Sequence, residues 1–460
     1  MSVSFLSPPR GSRYTNRQLT LLFLPILLEQ FLLNLSALSD TLLASGLSDA
    51  ATAGVSHAFT ISNLACCLLY GFSTGGSVVT AQWYGCRENA KASASARASV
   101  LFTLAVSVVL CALLLLDPAG AVTLLVGEVD ADVLDAASVY LIYSALSLPF
   151  YAVVYASTSS FRSIGNTRLP MLACAFMLGI ALLCKWLLVV VLKVGVMGTA
   201  LANLIGAASA AALMLLLLLR GKAELTYRLQ GEPFLSRDSL ARTLRICIPS
   251  GIENMCGALG LLFLQRIVAS CGVADSAAHG IASRLQPYAY LPAYCWGFVA
   301  LSVVGQYCGA GDTPMARSHT RHILKLCYLW MLPLDLLFIV FSRPVIHLFG
   351  GSPETLALAQ KLFIFYCAFA MLLYPTMNAL PQALRGAGDA RLTMLTSMLS
   401  MFLIWVGVAA LLNRFTDLGV FSVWIAMCCD YLTRSAVYVF RYRGKAWLEH
   451  QVLAVKNRLH

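Results

Sequence analysis

Long apolar runs constrain this sequence more than any other feature. A helix needs roughly 20 apolar residues to cross the hydrocarbon core of a bilayer, and runs of that length recur from end to end of the chain. The composition agrees, because the 460 residues are 59% hydrophobic and only 12% charged, whereas soluble domains are about a quarter charged. The sequence therefore argues against a soluble enzyme with a membrane anchor and predicts a polytopic membrane protein.

The apolar runs, separated by polar loops, predict twelve membrane-spanning helices. The period-two alternation of membrane β-barrels is absent. We therefore expect an all-α integral membrane protein. The predicted spans are 19–43, 53–83, 94–116, 133–160, 169–192, 195–219, 244–270, 277–307, 323–342, 355–384, 392–412 and 416–440.

Positive residues concentrate on one side of the predicted membrane topology. The N-terminal segment 10–17 and the basic segments 220–245 and 441–458 fall on that side, whereas the acidic cluster at 128–135 falls on the other. Lysine and arginine are enriched in cytoplasmic loops. The asymmetry predicts an even number of spans, both termini in the cytoplasm, and a multi-pass protein of the cell (cytoplasmic or inner) membrane. It also accounts for the net charge of +11 without a nucleic-acid partner.

The fifteen cysteines lie mostly inside apolar runs, and no pair has the C-x-x-C spacing of a zinc or redox site. Small apolar side chains in a reducing environment explain such a distribution. We therefore expect no disulfide framework, no metal and no cofactor. We also expect the protein to work as a monomer in the lipid bilayer.

An internal duplication is the clearest organisational signal. Pro25-x-x-x-Glu29 returns as Pro249-x-x-x-Glu253, 224 positions later. Two further segments return in the same register to within one residue. The matched pairs of segments are 25–30 with 249–254, 81–85 with 305–309, and 161–168 with 384–391.

The duplication predicts two pseudo-symmetric six-helix lobes. The N-terminal lobe covers 15–219, a basic cytoplasmic linker covers 220–243, and the C-terminal lobe covers 244–448. Because an even number of spans separates the copies, both lobes enter the membrane in the same direction and are related by an axis along its normal. Such lobes suit alternating access around a central cleft, so a transporter is the favoured class.

Several motifs, taken in order along the spans, resemble those of the multidrug and toxic compound extrusion (MATE) family of cation-coupled antiporters, most closely its bacterial branch. The resemblance covers about residues 15–448. The motifs that carry it are Asp40-Thr41 after Pro25, Gly75-Gly76, Ala81-Gln82-x-x-Gly85, Phe161-Arg162-x-x-Gly165-x-x-Arg168, Pro249-Ser250-Gly251-Ile252-Glu253-Asn254, Gly305-Gln306-Tyr307-Cys308-Gly309, Leu384-Arg385-Gly386-Ala387-Gly388-Asp389 and Arg441-Tyr442-Arg443-Gly444.

The resemblance implies secondary active efflux of amphipathic, often cationic, drugs in exchange for H⁺ or Na⁺. It also implies an ion-coupling role for a first-helix aspartate, which is Asp40 here. Glu29 lies eleven residues earlier, so both acids fall on one face of the first helix. Acidic side chains inside a span are energetically unfavourable and therefore suggest a function. We expect Asp40 and Glu29 to couple transport to the movement of an ion. Local bonds to hydroxyls, or a structural bond near Pro25, are the alternatives.

Other candidate residues follow from the repeat and from polar groups inside the spans. Glu253 mirrors Glu29 and is assigned to substrate binding, with Asn34, Gln286 and Tyr288. Gln82 and Gln306 are assigned to gating, with simple helix-end packing as the alternative. Asp430 has Arg434 one turn later and predicts an ion pair, whereas Asp335 has no obvious partner. Further tyrosines that supply aromatic surface are Tyr140, Tyr143, Tyr151, Tyr155, Tyr290, Tyr294 and Tyr374.

The resemblance also bears on the coupling ion. Some members of the family have a carboxylate pair in the second lobe, with one partner on the tenth helix, as a candidate sodium site. The tenth predicted span here has no acid beyond its outer end, which favours H⁺ over Na⁺.

Two other functions remain open. A lipid-linked oligosaccharide flippase of the same superfamily is the alternative transporter, but its phosphates call for clustered cations, and the cations within the spans are dispersed. A membrane-embedded enzyme is disfavoured because the sequence has neither H-E-x-x-H nor a G-x-S-x-G with placed partners.

Overall fold

The computed structural model describes residues 8–9, 11–45, 49–127, 130–220, 225, 237–444 and 446–448, and for 36–45, 49–52, 125–126 and 220 it describes the backbone alone. The regular secondary structure within these residues is entirely helical, as the apolar runs predict. The all-α fold class is therefore confirmed.

Seven α-helices form the first half of the chain. Short α4 follows α3, and α6 runs on into a π-helical segment, Trp186–Val191. The helices are α1 Asn16–Ser45, α2 Asp49–Gly85, α3 Asn89–Leu116, α4 Pro118–Val126, α5 Ala131–Ser163, α6 Arg168–Lys185 and α7 Val196–Arg220.

Eight α-helices form the second half. Here α11 is the short helix, and the π-helical segment Ser400–Val406 joins α13 to α14. The helices are α8 Arg237–Ser270, α9 Val273–Gly309, α10 Thr313–Val340, α11 Ser342–His347, α12 Pro353–Gly386, α13 Ala390–Leu399, α14 Gly407–Phe415 and α15 Phe421–Arg443, followed by a 3₁₀ turn, Ala446–Leu448.

Eleven helices among the described residues are long and apolar enough to cross a membrane, with α6 and its π segment counted as one helix and α13–α14 as another. The twelfth predicted span, 416–440, corresponds to α15, a helix of 23 residues. It is not among the eleven because Asp430 and Arg434 and several polar residues lower its hydropathy. The crossing by α15 stays a prediction.

The duplication is visible in the helix boundaries. Helices α2 and α9 each have 37 residues and begin 224 positions apart, and α3 and α10 each have 28 residues and begin 224 positions apart. Short α4 and α11, which sequence analysis missed, also start 224 positions apart. These three consecutive helices of the first copy are therefore repeated in the same order in the second.

The helices form two compact units. One contains residues 24–255, and the other contains residues 1–23 and 256–460. The division falls inside α1 and α8, so each unit includes the first part of a helix whose remainder belongs to the other. The predicted lobe limits, 15–219 and 244–448, follow the sequence repeat and stay a prediction.

In the 24–255 unit, the first part of α8 lies directly against α2. A Cβ atom at Gly75 would stand 2.6 Å from the Cα of Cys247, so the two backbones approach at a position where only glycine fits. In the other unit, the first part of α1 packs on α9 through stacked rings of Phe23 and Trp296, with centroids 4.5 Å apart. Phe23 and Cys247 occupy equivalent positions of the repeat.

Candidate functional site

A cavity of about 240 Å³ opens within the 24–255 unit. It is lined by side chains from α1, α2, α5, α6 and α7. The lining residues are Leu33, Phe59, Ser62, Asn63, Cys66, Tyr140, Ser144, Ser147, Tyr151, Tyr155, Met177 and Asn203.

Helical spacing explains why α5 dominates the lining. Its five lining residues recur every three or four positions between Tyr140 and Tyr155, which places them along one face. Tyr151 and Tyr155 stack with ring centroids 5.8 Å apart, and Tyr70 of α2 meets Tyr155 edge-on at 5.7 Å. The Ser147 hydroxyl donates to the carbonyl of Tyr143 on its own helix. Aromatic rings are therefore the main recognition surface of this face.

Among the residues that the structure describes, the lining carries no formal charge. Apart from the aromatic and aliphatic side chains, it contributes hydroxyls, two amides, one thiol and one thioether. Faces of tyrosine rings attract cations, and apolar pockets with a few polar groups bind drug-like molecules. The arrangement is suited to an organic cation with apolar parts and offers nothing to neutralise an anion.

Glu29 forms a buried ion pair next to this cavity. Its Oε1 lies 2.6 Å from a terminal nitrogen of Arg162 in the last turn of α5, and the two side chains are only 4% and 6% exposed. Arg162 follows Tyr155 by seven residues, which is about 10 Å along the helix. The pair therefore lies beyond the end of the tyrosine face and joins α1 to α5. Sequence reasoning counted Arg162 only as a topology charge and missed this contact.

One face of α1 carries Glu29, the cavity residue Leu33 and Asp40, and we call it the acidic stripe of α1. Leu33, one turn after Glu29, lines the cavity, and Asp40 follows Leu33 by seven residues, a spacing that returns to the same helix face. Asp40 belongs to α1, but its side chain lies outside the part that the structure describes. Asn34 is half-buried and does not line the cavity.

The other predicted substrate-binding residues are dispersed. Glu253 is buried in α8 within the 24–255 unit, and it does not line this cavity. Gln286 and Tyr288 lie on α9 in the other unit, where the Gln286 amide donates to Sδ of Met427 on α15. The tyrosines that do line the cavity, Tyr140, Tyr151 and Tyr155, were recognised in the sequence only as general aromatic surface.

The two predicted gating residues occupy equivalent helix ends. Gln82 is fully buried near the end of α2, and Gln306 is buried near the end of α9. The Tyr14 hydroxyl donates to Oε1 of Gln306 at 2.5 Å. In the same segment, the Arg13 backbone N–H donates to the Tyr307 hydroxyl at 2.9 Å. Gln306 thus holds the segment that precedes α1.

The local ion pair predicted in α15 is confirmed. Nε of Arg434 donates to Oδ1 of Asp430 at 2.9 Å, and the hydroxyl of Ser400 donates to the same oxygen at 2.6 Å. Across the described residues, no group of three or more His, Cys, Asp and Glu side chains is arranged to hold a metal ion.

Comparison with known proteins places the chain in one family. The sequence model of the MatE family matches twice, over residues 25–187 and 249–411, windows that begin 224 positions apart like the helices themselves.

Curated relatives and solved structures agree with this match. Probable multidrug resistance protein YoeA of Bacillus subtilis (strain 168) is 25% identical over 95% of both chains. Probable multidrug resistance protein NorM of Thermotoga maritima is 23% identical over 95% of this chain and 94% of its own. Among solved structures, the outward-facing conformation of a multidrug resistance MATE family transporter of the MOP superfamily has the same fold, with a TM-score of 0.87 at 19% identity over 94% of this chain and 96% of that one. The two matched windows cover well over half of the sequence, and the chain therefore belongs to the MATE (MatE) family of membrane transporters.

Proposed function

We propose that this transporter is a secondary active multidrug efflux antiporter of the cytoplasmic membrane, which exports amphipathic or cationic compounds in exchange for H⁺ by alternating access. The observation that carries the proposal is the uncharged, tyrosine-rich cavity beside the acidic stripe of α1. The multidrug resistance names of the full-length relatives support it.

The cavity supports an organic cation as the substrate. Its volume of about 240 Å³ is slightly below the roughly 300–1,000 Å³ of typical ligand pockets. It therefore suits one flat or ammonium-bearing part of a drug, held against Tyr151 and Tyr155 by cation–π attraction. A lipid-linked oligosaccharide is disfavoured, because its phosphates would meet no cation among the lining residues.

Ion coupling is assigned to the acids of α1. A carboxylate moved into an apolar cleft favours its neutral form, and water on one side of the membrane can take the proton back. Asp40 occupies the same stripe as the cavity residue Leu33, so a proton on its carboxylate would compete with an organic cation bound in the cavity. Glu29 contributes through Arg162: protonation of Glu29 would remove a negative charge 2.6 Å from a buried guanidinium, which favours a different packing of α1 against α5.

The gating assignment rests on the end of α9. Gln306 accepts the hydroxyl hydrogen of Tyr14, so a change in the packing of α9 would release the segment that enters α1. Gln82 occupies the equivalent position in the first copy. We propose that both amides stabilise the closed state of the cytoplasmic entrance, in a protein that works as a monomer.

Transport in proteoliposomes tests this function. The purified protein is reconstituted with a fluorescent lipophilic cation, and either a pH gradient or a sodium gradient is imposed. The proposal expects movement of the cation against its gradient when protons flow the opposite way, and none with sodium alone. Movement without either gradient at the same rate would contradict antiport, and drive by sodium alone would contradict proton coupling.

A further inference from the structure

Asp335 is a buried acid of the 256–460 unit with no hydrogen-bond partner among the residues that the structure describes. Asp335 on α10 is 0% exposed, and neither carboxylate oxygen accepts a hydrogen bond from any residue that the structure describes. The unit does provide partners for its other buried acids: Asp430 pairs with Arg434 at 2.9 Å, and Asp389 pairs with Arg441 at 2.7 Å. Asp335 is therefore an exception within its own unit.

The neighbours of Asp335 on α12 leave it without a counter-charge. It interacts electrostatically with Tyr366 and Cys367, both fully buried. The hydroxyl of Tyr366 also has no hydrogen-bond partner among the described residues. Buried polar groups in proteins are normally hydrogen-bonded, so these two are exceptions that call for an explanation.

Among the described residues, the charged groups on the helices that pack against α10 do not pair with Asp335. Helix α10 packs against α9, α11 and α12 and meets the first part of α1. On α10 itself the charges before Asp335 end at Lys325, ten residues or about 15 Å away. The acids, bases and histidines on the other helices are exposed or bonded elsewhere: Asp275 to Val420, His279 to Trp424 and Arg385 to Thr393, with Arg17, Arg284, Arg343, His347, Glu354 and Lys361 exposed.

The fold itself does not require this carboxyl group. In the duplicated register the position equivalent to Asp335 is Cys111 on α3, which is buried and uncharged. The same helix in the same place of the first copy is therefore built without an acid. An ionised carboxylate buried without a partner is strongly unfavourable in a protein interior, so an acid at this position calls for another explanation.

We propose that Asp335 is a second proton-carrying site of the transporter, neutral in this conformation and ionised at another stage of the cycle. On uptake an O–H bond forms between a proton from water and one carboxylate oxygen, and on release that bond breaks and the proton returns to water. A single carboxyl group can hold a proton without any further ligand, which fits the surroundings of Asp335. The release step rests on the proposed antiport, whereas the neutral state does not.

Infrared difference spectroscopy of the protein in lipid nanodiscs tests the neutral state directly. We expect wild type at neutral pH to show a protonated carboxyl stretch that disappears in Asp335→Asn and in Asp335→Cys, the residue of the first copy. Asp430→Asn is the matched control and should leave that band in place. Absence of the band in wild type, or its persistence in both Asp335 variants, would overturn the proposal.

Proton counting tests the carrier role separately. In weakly buffered detergent, addition of the fluorescent cation should release one proton fewer per protein from Asp335→Cys than from wild type, and thermal stability should be at least that of wild type. Equal release from both would overturn the carrier role. If wild type shows the carboxyl band but moves no cation under any gradient, the antiport proposal fails while the neutral state of Asp335 stands.

Discussion

At the scale of single residues, the ion pair between Glu29 and Arg162 shows that the fold buries opposite charges together inside the membrane region. Both groups are buried and lie within 2.6 Å of each other. Removal of one partner from a buried ion pair leaves the other charge buried without compensation. The loss in the free energy of unfolding is then far larger than the net stability that the intact pair contributes.

Glu29→Gln should therefore lower the free energy of unfolding by about 3–5 kcal/mol, because the Arg162 guanidinium stays buried without its carboxylate. Unfolding in detergent by heat or denaturant measures the change. Asp238→Asn is the control, because its pair with Arg242 is largely solvent-exposed and such pairs contribute about 0–1 kcal/mol. Equal stability of Glu29→Gln and wild type would show that Arg162 is held by other groups.

The tyrosine face of the cavity leads to a second prediction. Tyr155→Leu removes a ring that stacks on Tyr151, and it should raise KM for a lipophilic cation about 10-fold, since a desolvated cation–π contact contributes roughly 1–2 kcal/mol. Tyr155→Phe keeps the ring and should transport almost as well as wild type. A large loss in the phenylalanine variant would assign the effect to the hydroxyl instead of the ring.

Residue-level prediction from sequence succeeded where partners are close in the chain. Asp430 and Arg434 are four residues apart on one helix, so their pairing follows from helical geometry. Glu29 and Arg162 are separated by most of a six-helix segment, and one sequence offers no sign that α5 brings the arginine to α1. The tyrosines of α5 were visible, but a shared helix face alone does not tell a cavity from a core.

At the scale of helices, close approach between backbones sets specific requirements. Gly75 of α2 faces Cys247 of α8, and the contact leaves no room for a side chain. The apolar pattern indicated both helices correctly but could not show that they meet, because glycines serve turns and close contacts equally.

Gly75→Ala should lower the free energy of unfolding by about 1–3 kcal/mol, because overpacking forces two backbones apart. Gly179→Ala in α6 is the matched control: a Cβ there meets nothing within 4 Å, and alanine should stabilise the helix by about 1 kcal/mol. Thermal unfolding of both variants in the same detergent gives the comparison. A neutral Gly75→Ala would mean that α2 and α8 separate easily.

Short and irregular helices were the elements that sequence analysis missed. Apolar periodicity recognises long helices, whereas α4 and α11 have only nine and six residues. The π-helical segments 186–191 and 400–406 continue apolar runs, so nothing in hydropathy separates them from α-helix. Most other span limits were within about five residues of the observed ends, but α10 begins ten residues before the predicted span 323–342 and α8 seven residues before the predicted span 244–270.

At the scale of the whole molecule, duplication organises the structure. Matched helices start 224 positions apart, and so do the two windows that match the family. Departures from the duplication then indicate where the copies specialise. Asp335 against Cys111 is one such departure, and the absence of acids from α12 between Glu354 and its end is the sequence feature that favours protons.

The central claim is that the acidic stripe of α1 couples a proton to a cation bound in the adjoining cavity. Transport by Asp40→Asn in proteoliposomes tests it most directly, because the amide keeps the shape of the side chain but carries no titrating proton. We predict that export driven by a pH gradient is lost while membrane insertion and binding of the fluorescent cation persist. Gradient-driven export at the wild-type rate in Asp40→Asn would contradict the account.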